Sequence, residues 1–381
     1  MPHPEEDLIT ILRENGVNFT ASLPCEKFKT LLAMLPAAFP HIALTREEEG
    51  VGIAGGAALA GKRPALFVQS SGVGNMINAL LSLTVYYRLP LALFVSRRGI
   101  YKEKIDAQLP MGLRLPGILE GAGIAFSDIS EWADLAIIGK KLGGIYEENS
   151  VHAFLLSPEV WEGSECSTTS SEFKVHGSKC EATNSEFRVQ SSEFGERELT
   201  RYEIIKTIAP ELMGKVVVSN LGLPSKELYS VLHQPSNFYM LGSMGMATPI
   251  GLGIALASKK EVVVIDGDGS LLMNPGTLAT AAASAPGNLT ILAIDNGVYG
   301  STGDQATLAG SCVDLEAVAR GFGIRNTYKV SEGKNIVKAF KDSQGSFSFI
   351  HALALPGNKD VPNIPLNPIG IRVGVQEFLK K

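Results

Sequence analysis

Residues 266–276, DGDGSLLMNPG, and residues 294–300, IDNGVYG, each place a carboxylate or an amide beside glycine, directly after an apolar run. Asp268 offers a carboxylate and Asn296 an amide oxygen, and the turn after Gly297 frees the backbone carbonyl of Val298. Mg²⁺ prefers six oxygens in a near-octahedral array and shares them between one or two carboxylates, phosphates and water. A diphosphate would supply two more. Gly267 and Gly269 carry no side chain, so backbone and phosphate can approach closely. These residue types point to a metal-bridged diphosphate site. A nicotinamide site competes, but its fingerprint would run G-x-G-x-x-G, and DGDGSLL lacks the third glycine although Asp295 does end the next apolar run.

Such residues need a frame that brings them together. Residues 262–265 and 289–294 read as buried strands, and the alanine-rich 277–284 reads as a helix between them. The crossover of a βαβ unit is right-handed and its strands are parallel, so the loops carrying Asp268 and Asn296 emerge at one sheet edge. Open α/β sheets bind ligands beyond the carboxyl ends of their strands, where helix N-termini favour anions. The same alternation runs along the chain, with strands expected at 18–23, 42–44, 65–68, 91–95, 124–126, 151–156, 216–219, 238–241 and 349–353 besides the two above. Helices are expected at 5–15, from Lys27 and from Glu47. The fold class is therefore α/β, with two doubly wound parallel-sheet domains. Residues 163–199 interrupt the alternation: they are rich in Ser, Thr, Glu and Lys and repeat the triplet SEF at Ser171, Ser185 and Ser192. That composition reads as a flexible, solvated linker. The expected division is a domain at 1–162, a linker at 163–199 and a domain at 200–381.

Composition narrows the function. A chain of 381 residues with 45% hydrophobic and 19% charged residues is globular and suits two cores. Its formal net charge of -5 argues against a nucleic-acid partner. No apolar run approaches the roughly 20 residues of a membrane helix. The start, MPHPEEDLITILRENG, is acidic where a secretory signal would be basic. Cys25, Cys166, Cys180 and Cys312 form no C-x-x-C pair and no zinc spacing, which fits a reduced, cytoplasmic address.

The spacing of GDG, then 26 residues, then Asn296 resembles the binding motif of the thiamine diphosphate-dependent enzymes, which opens on GDG and closes on Asn. That family commonly has NN where this chain has Asp295-Asn296, and the second residue is the ligand. The resemblance implies thiamine diphosphate and Mg²⁺ as cofactors, with the metal on Asp268, Asn296 and the carbonyl of Val298, and with Gly267, Gly269 and Ser270 around the diphosphate. Residues 45–65, TREEEGVGIAGGAALAGKRPA, resemble the family's glutamate ahead of a small-residue helix, which implies Glu47 as the catalytic acid beside the aminopyrimidine. Glu48 and Glu49, each about 100° further round the helix, would face elsewhere. Residues 69–80, QSSGVGNMINAL, are similar to the turn that lies against the cofactor, implying Ser71 and Gly72. Residues 242–257, GSMGMATPIGLGIALA, are similar to the segment whose apolar residue props the cofactor into its bent shape, implying Met244 with Ser243 beside it. Residues 299–305, YGSTGDQ, are similar to the segment over the diphosphate and substrate, implying Tyr299 and Gly300. By the same resemblance, residues 1–162 bind the pyrimidine and residues 200–381 the diphosphate. In this family the two domains sharing a cofactor usually come from different subunits, so a homodimer or higher homo-oligomer with the cofactor at the interface is implied.

The middle domain of larger family members is missing. Residues 22–32, 96–112 and 299–305 look closest to the sulfopyruvate decarboxylase family, the archaeal enzymes of coenzyme M synthesis. This implies a small anionic 2-keto acid substrate, 3-sulfopyruvate, converted to sulfoacetaldehyde and CO₂. Phosphonopyruvate is the alternative; a dehydrogenase or a non-catalytic α/β binding module is the distant one. A second anionic group on the substrate calls for fixed donors, and Arg97, Arg98, Lys104 and Gln108 supply them, with Cys25 at a neighbouring strand exit. The six histidines contain no adjacent pair, the signature of pyruvate decarboxylases.

Overall fold

The computed structural model of the protein describes residues 3–162 and 197–381. Residues 163–196, including the three SEF triplets, Cys166 and Cys180, lie outside the described residues. The strands of the first half are β1 (Phe19–Ser22), β2 (His41–Ala43), β3 (Pro64–Gln69), β4 (Leu91–Ser96), β5 (Ala125–Ile129) and β6 (Val151–Leu156). They form a parallel sheet in the order β2-β1-β3-β4-β6-β5. In the second half, β7 (Val216–Ser219), β8 (Asn237–Tyr239), β9 (Val262–Gly267) and β10 (Leu289–Asp295) are followed by a short hairpin of β11 (Val298–Tyr299) and β12 (Gln305–Ala306), then by β13 (Asn326–Val330) and β14 (Ser348–Leu353). Its sheet is again parallel, in the order β13-β14-β10-β9-β7-β8.

Strands covered on both faces by helices read as nearly unbroken apolar runs. β4 (LALFVS), β6 (VHAFLL) and β10 (LTILAID) do so, and each is buried along its whole length. β13 does not. Its sequence NTYKV lies at the sheet edge and is only partly buried, which is why periodicity gives no sign of it. Residues 197–199, expected in the linker, belong with the second half: Leu199 O accepts from Leu355 N at 2.8 Å, and Arg197 Nη1 donates to the carbonyls of Asp295 and Ala354.

Parallel strands deliver their exits to one edge. In the first sheet those exits lead to Cys25, Glu47, Ser70 to Gly72 and Arg97; in the second, to Asn220, Ser243, Asp268 and Asn296. The halves are joined by two helices rich in small residues, Glu47–Leu59 and Ala247–Ala257. A Cβ on Gly56 would lie 2.1 Å from Ile250 O, and one on Gly253 would lie 2.1 Å from Ile53 O. The two backbones therefore touch, and a single apolar core runs through the seam, with residues such as Val51, Ile53, Ile250 and Ile254 contributed from both sides.

This contact makes a paired prediction. Gly253→Ala overpacks the seam and should cost ~1–3 kcal/mol. Gly117→Ala, in the Leu109–Gly121 helix with nothing within 4 Å of the added methyl group, should be neutral or stabilising by ~0.4–1 kcal/mol. Thermal or urea denaturation of the two variants should shift in opposite directions.

Candidate active site

Asp268 opens a short helix, Asp268–Leu271, at the exit of β9, and Asn296 follows β10. Both side chains are buried. They line one cavity together with Met244, Gly267, Gly269, Ser270, Val298, Tyr299 and Gly300. Nine residues expected around the cofactor are thus gathered in one place. Gly269 is required by Tyr299, whose ring would meet a Cβ there at 2.2 Å, whereas Gly267 has ordinary room and leaves open space in the cavity. Gly297, at φ 71, turns the chain from Asn296 into β11.

Electrostatics divides two neighbouring carboxylates. Asp295 accepts from His351 Nε2 at 3.0 Å and from Gly297 N at 3.0 Å, and Arg197 stands 3.8 Å away. Burial works against its charge, but His351 and Arg197 prevail and hold its pKa below the usual carboxylate value. Asp268 is pushed up to about 6, first by burial and then by the charge on Asp295, against a hydrogen bond donated by the Thr307 hydroxyl. Among the described residues no Lys, Arg or His forms an ion pair with it. Asn296 accepts from Val298 N at 3.3 Å, while its buried Nδ2 has no protein partner. No cluster of three His, Cys, Asp or Glu side chains able to hold a metal occurs among the described residues. A cation here would complete its shell with amide, backbone and non-protein oxygens, which is the donor set Mg²⁺ takes beside a diphosphate. The residues present fit that group.

Several members of the site had no signal in the sequence. Arg201 lines the cavity, buried, with its Nε and Nη2 donating to Glu227 at 2.8 and 3.0 Å and Nη2 also to Asn358 Oδ1 at 3.0 Å. Asn358 Nδ2 in turn donates to Gly300 O at 2.9 Å, tying the C-terminal loop to the segment over the cavity. Asn220, Thr307 and His351 likewise come from distant stretches whose residues are unremarkable until the strands are ordered.

Glu47 begins its helix at the edge of the first sheet and is 5% exposed. Asn75 Nδ2 donates to its Oε2 at 3.1 Å, and a Cβ on Gly72 would strike Oε1 at 2.3 Å, so Gly72 is small because the acid lies against it. Ser71 adjoins in the Ser70–Gly74 helix. As expected, the neighbours face elsewhere. Glu48 is 3.8 Å from Arg46, and the fully buried Glu49 accepts from the Thr45 hydroxyl at 2.9 Å and, across the seam, from the Thr280 hydroxyl at 2.9 Å.

The basic segment is mostly committed to structure. Arg97 pairs with Asp128. Arg98, buried, is bidentate to Glu103 at 2.7 and 2.8 Å. Glu103 also accepts from Gly99 N, Lys104 N and Ile105 N, and the bonds from Arg98 hold its pKa down to about 2. Lys104 is exposed with no carboxylate paired to it among the described residues. Gln108 is half-buried, and its Oε1 has no partner. Cys25 lines a separate cavity with Ser22, Lys29 and His41, whose imidazole burial pushes down to about 4. None of these five expected substrate residues lines the cavity of Asp268 and Asn296.

Residues 4–112 match the family described as thiamine pyrophosphate enzyme, N-terminal TPP binding domain, and residues 220–352 match thiamine pyrophosphate enzyme, C-terminal TPP binding domain. The chain is 45% identical to the sulfopyruvate decarboxylase of Methanosarcina acetivorans over 371 residues, covering 96% of this chain and 95% of that one. It is 46% identical over 183 residues to the sulfopyruvate decarboxylase subunit beta of Methanothermobacter thermautotrophicus, which covers 48% of this chain and 95% of that one. To the phosphonopyruvate decarboxylase of Streptomyces viridochromogenes it is 33% identical over 361 residues, 93% of this chain and 89% of that one.

Asp268 yields a pH prediction. Its folded pKa stands above the ordinary value, so its contribution to stability is present at low pH and is lost as pH rises from about 4 through about 6. A bound cation reverses that sign. Thiamine diphosphate with Mg²⁺ should raise the melting midpoint strongly above pH ~6 and weakly near pH ~5, and Asp268→Asn should remove both the cation's effect and its pH dependence.

Proposed function

The chain belongs to the thiamine pyrophosphate enzymes and is a decarboxylase of that family, and from this premise we propose that it converts 3-sulfopyruvate to sulfoacetaldehyde and CO₂, in coenzyme M biosynthesis in the cytoplasm. The observation that carries the reading is the convergence of Asp268 and Asn296 on one cavity. Substrate preference is supported by 45% identity to a sulfopyruvate decarboxylase against 33% to a phosphonopyruvate decarboxylase, each over nearly the whole chain. Phosphonopyruvate remains the second reading, since a similar basic pocket holds either anion.

In this proposal Asp268, Asn296 and the carbonyl of Val298 hold Mg²⁺ on the cofactor diphosphate, under the cover of Tyr299 and Gly300. Bound thiamine diphosphate supplies the electron-accepting chemistry that lets a 2-keto acid lose CO₂. Glu47 would be the residue that holds or moves a proton beside the aminopyrimidine, and the bond from Asn75 fixes its Oε2. Near-complete burial keeps water from competing for that proton. Met244 supports the cofactor from the cavity side. Lys104, exposed on the loop that Glu103 folds, would meet the sulfonate, with Arg97 and Arg98 as scaffold.

The cavity is lined entirely from the second half and Glu47 belongs to the first, which supports a homo-oligomer in which each cofactor lies between an acid-bearing and a diphosphate-binding unit. The match of a separate beta subunit to about half of this chain supports the same division into two units.

CO₂ release from the purified protein with thiamine diphosphate and Mg²⁺ should favour sulfopyruvate over phosphonopyruvate and pyruvate by at least ~10-fold in kcat/KM, a difference of ~1.4 kcal/mol. Preference for phosphonopyruvate would overturn the substrate. Lys104→Ala should raise KM for sulfopyruvate ~10-fold or more and leave that for pyruvate nearly unchanged.

A further inference from the structure

The loop that presents Met244 is held by side chains of the opposite half. Tyr87 is fully buried and packs at a tilt against Phe238 with ring centroids 4.8 Å apart. Its hydroxyl donates to Tyr239 O at 2.9 Å and accepts from Leu241 N at 2.7 Å, bracketing the end of β8. Two residues on, Ser243 takes a left-handed backbone, φ 60, that L residues seldom adopt. Ser82 Oγ lies 2.5 Å from Ser243 Oγ and 2.7 Å from Asn78 O. A carbonyl can only accept, so the single proton of Ser82 goes to Asn78 and Ser243 is the donor of the shorter bond. Ser82 also closes over Gly242, where a Cβ would come 3.2 Å from Ser82 O. It sits in a π-helical stretch, Leu80–Val85, a local widening that often marks functional sites. From the second half, Ser270 Oγ accepts from Gly245 N at 3.1 Å. Met244 is flanked by fixed points on both sides, and its side chain lines the diphosphate cavity.

We propose that Ser82 and Tyr87 are positioning residues that lock the strained turn at Ser243 and so set Met244 beneath the cofactor. The first half then contributes to cofactor binding through this clamp as well as through Glu47, and the grip on the cofactor depends on the two halves being docked. The inference rests on the reading that Met244 supports thiamine diphosphate.

Its test is a titration of thiamine diphosphate with Mg²⁺ into the full-length protein, followed by calorimetry and by the near-ultraviolet circular dichroism of the bound cofactor. Ser82→Ala should weaken binding ~10-fold and diminish the dichroic band, and Tyr87→Phe should do the same while keeping its ring packing. In a Ser243→Gly background, where glycine adopts the turn unaided, Ser82→Ala should cost less than ~2-fold. An equal loss in both backgrounds, or none in either, overturns the clamp. Met244→Ala separates the two readings: weakened binding there with full affinity in Ser82→Ala sinks the clamp alone, and full affinity in Met244→Ala sinks the reading of Met244 and the clamp with it.

Discussion

Two buried carboxylates at adjacent strand exits set the character of this molecule. Taking an ion out of water is costly unless it is paired and hydrogen-bonded. Asp295 has both kinds of partner within the fold, His351 and Arg197. Asp268 has the Thr307 hydroxyl and, among the described residues, no cationic partner, and burial raises its pKa. The fold therefore holds one carboxylate charged by its own partners and, among the described residues, gives the other no cationic one. Beside it, the buried Nδ2 of Asn296 has no hydrogen-bond partner among the described residues.

The second constraint is the seam. Two helices rich in glycine and alanine bring their backbones into contact and so fix the seam between the halves. Bulky residues at Gly56 or Gly253 would separate the halves. Polar contacts then fix what apolar packing leaves free: Glu49 reaches Thr280, and Tyr87 reaches both Tyr239 and Leu241. The helix that starts with Glu47 is thereby part of the interface, so the position of the acid is coupled to the packing that joins the halves.

Much of this was legible in the residues. Strands buried on both faces announce themselves as apolar runs, and β6 and β7 fall where periodicity puts them. That Asp268 and Asn296 would be neighbours was legible because parallel strands with a right-handed crossover must deliver both to one edge. The edge strand β13 was illegible because its residues face water as much as protein. Arg201, Thr307 and His351 were illegible for another reason: each reaches the site through a contact distant in sequence, and no local pattern encodes it. The basic segment misled in one respect. Charge alone cannot distinguish Arg98, spent on Glu103, from Lys104, left exposed, because that difference is made by how the loop folds.

In the function we propose, Glu47 and the cavity of Asp268 and Asn296 act on a single thiamine diphosphate. The most direct measurement is the rate at which the bound cofactor exchanges its reactive ring proton for deuterium, followed by acid quench and proton NMR, in the native protein and in Glu47→Gln. Binding should accelerate exchange over the free cofactor, and Glu47→Gln should slow it by ~100-fold or more while the cofactor stays bound. Equal exchange rates in the two proteins, at equal occupancy, would contradict it.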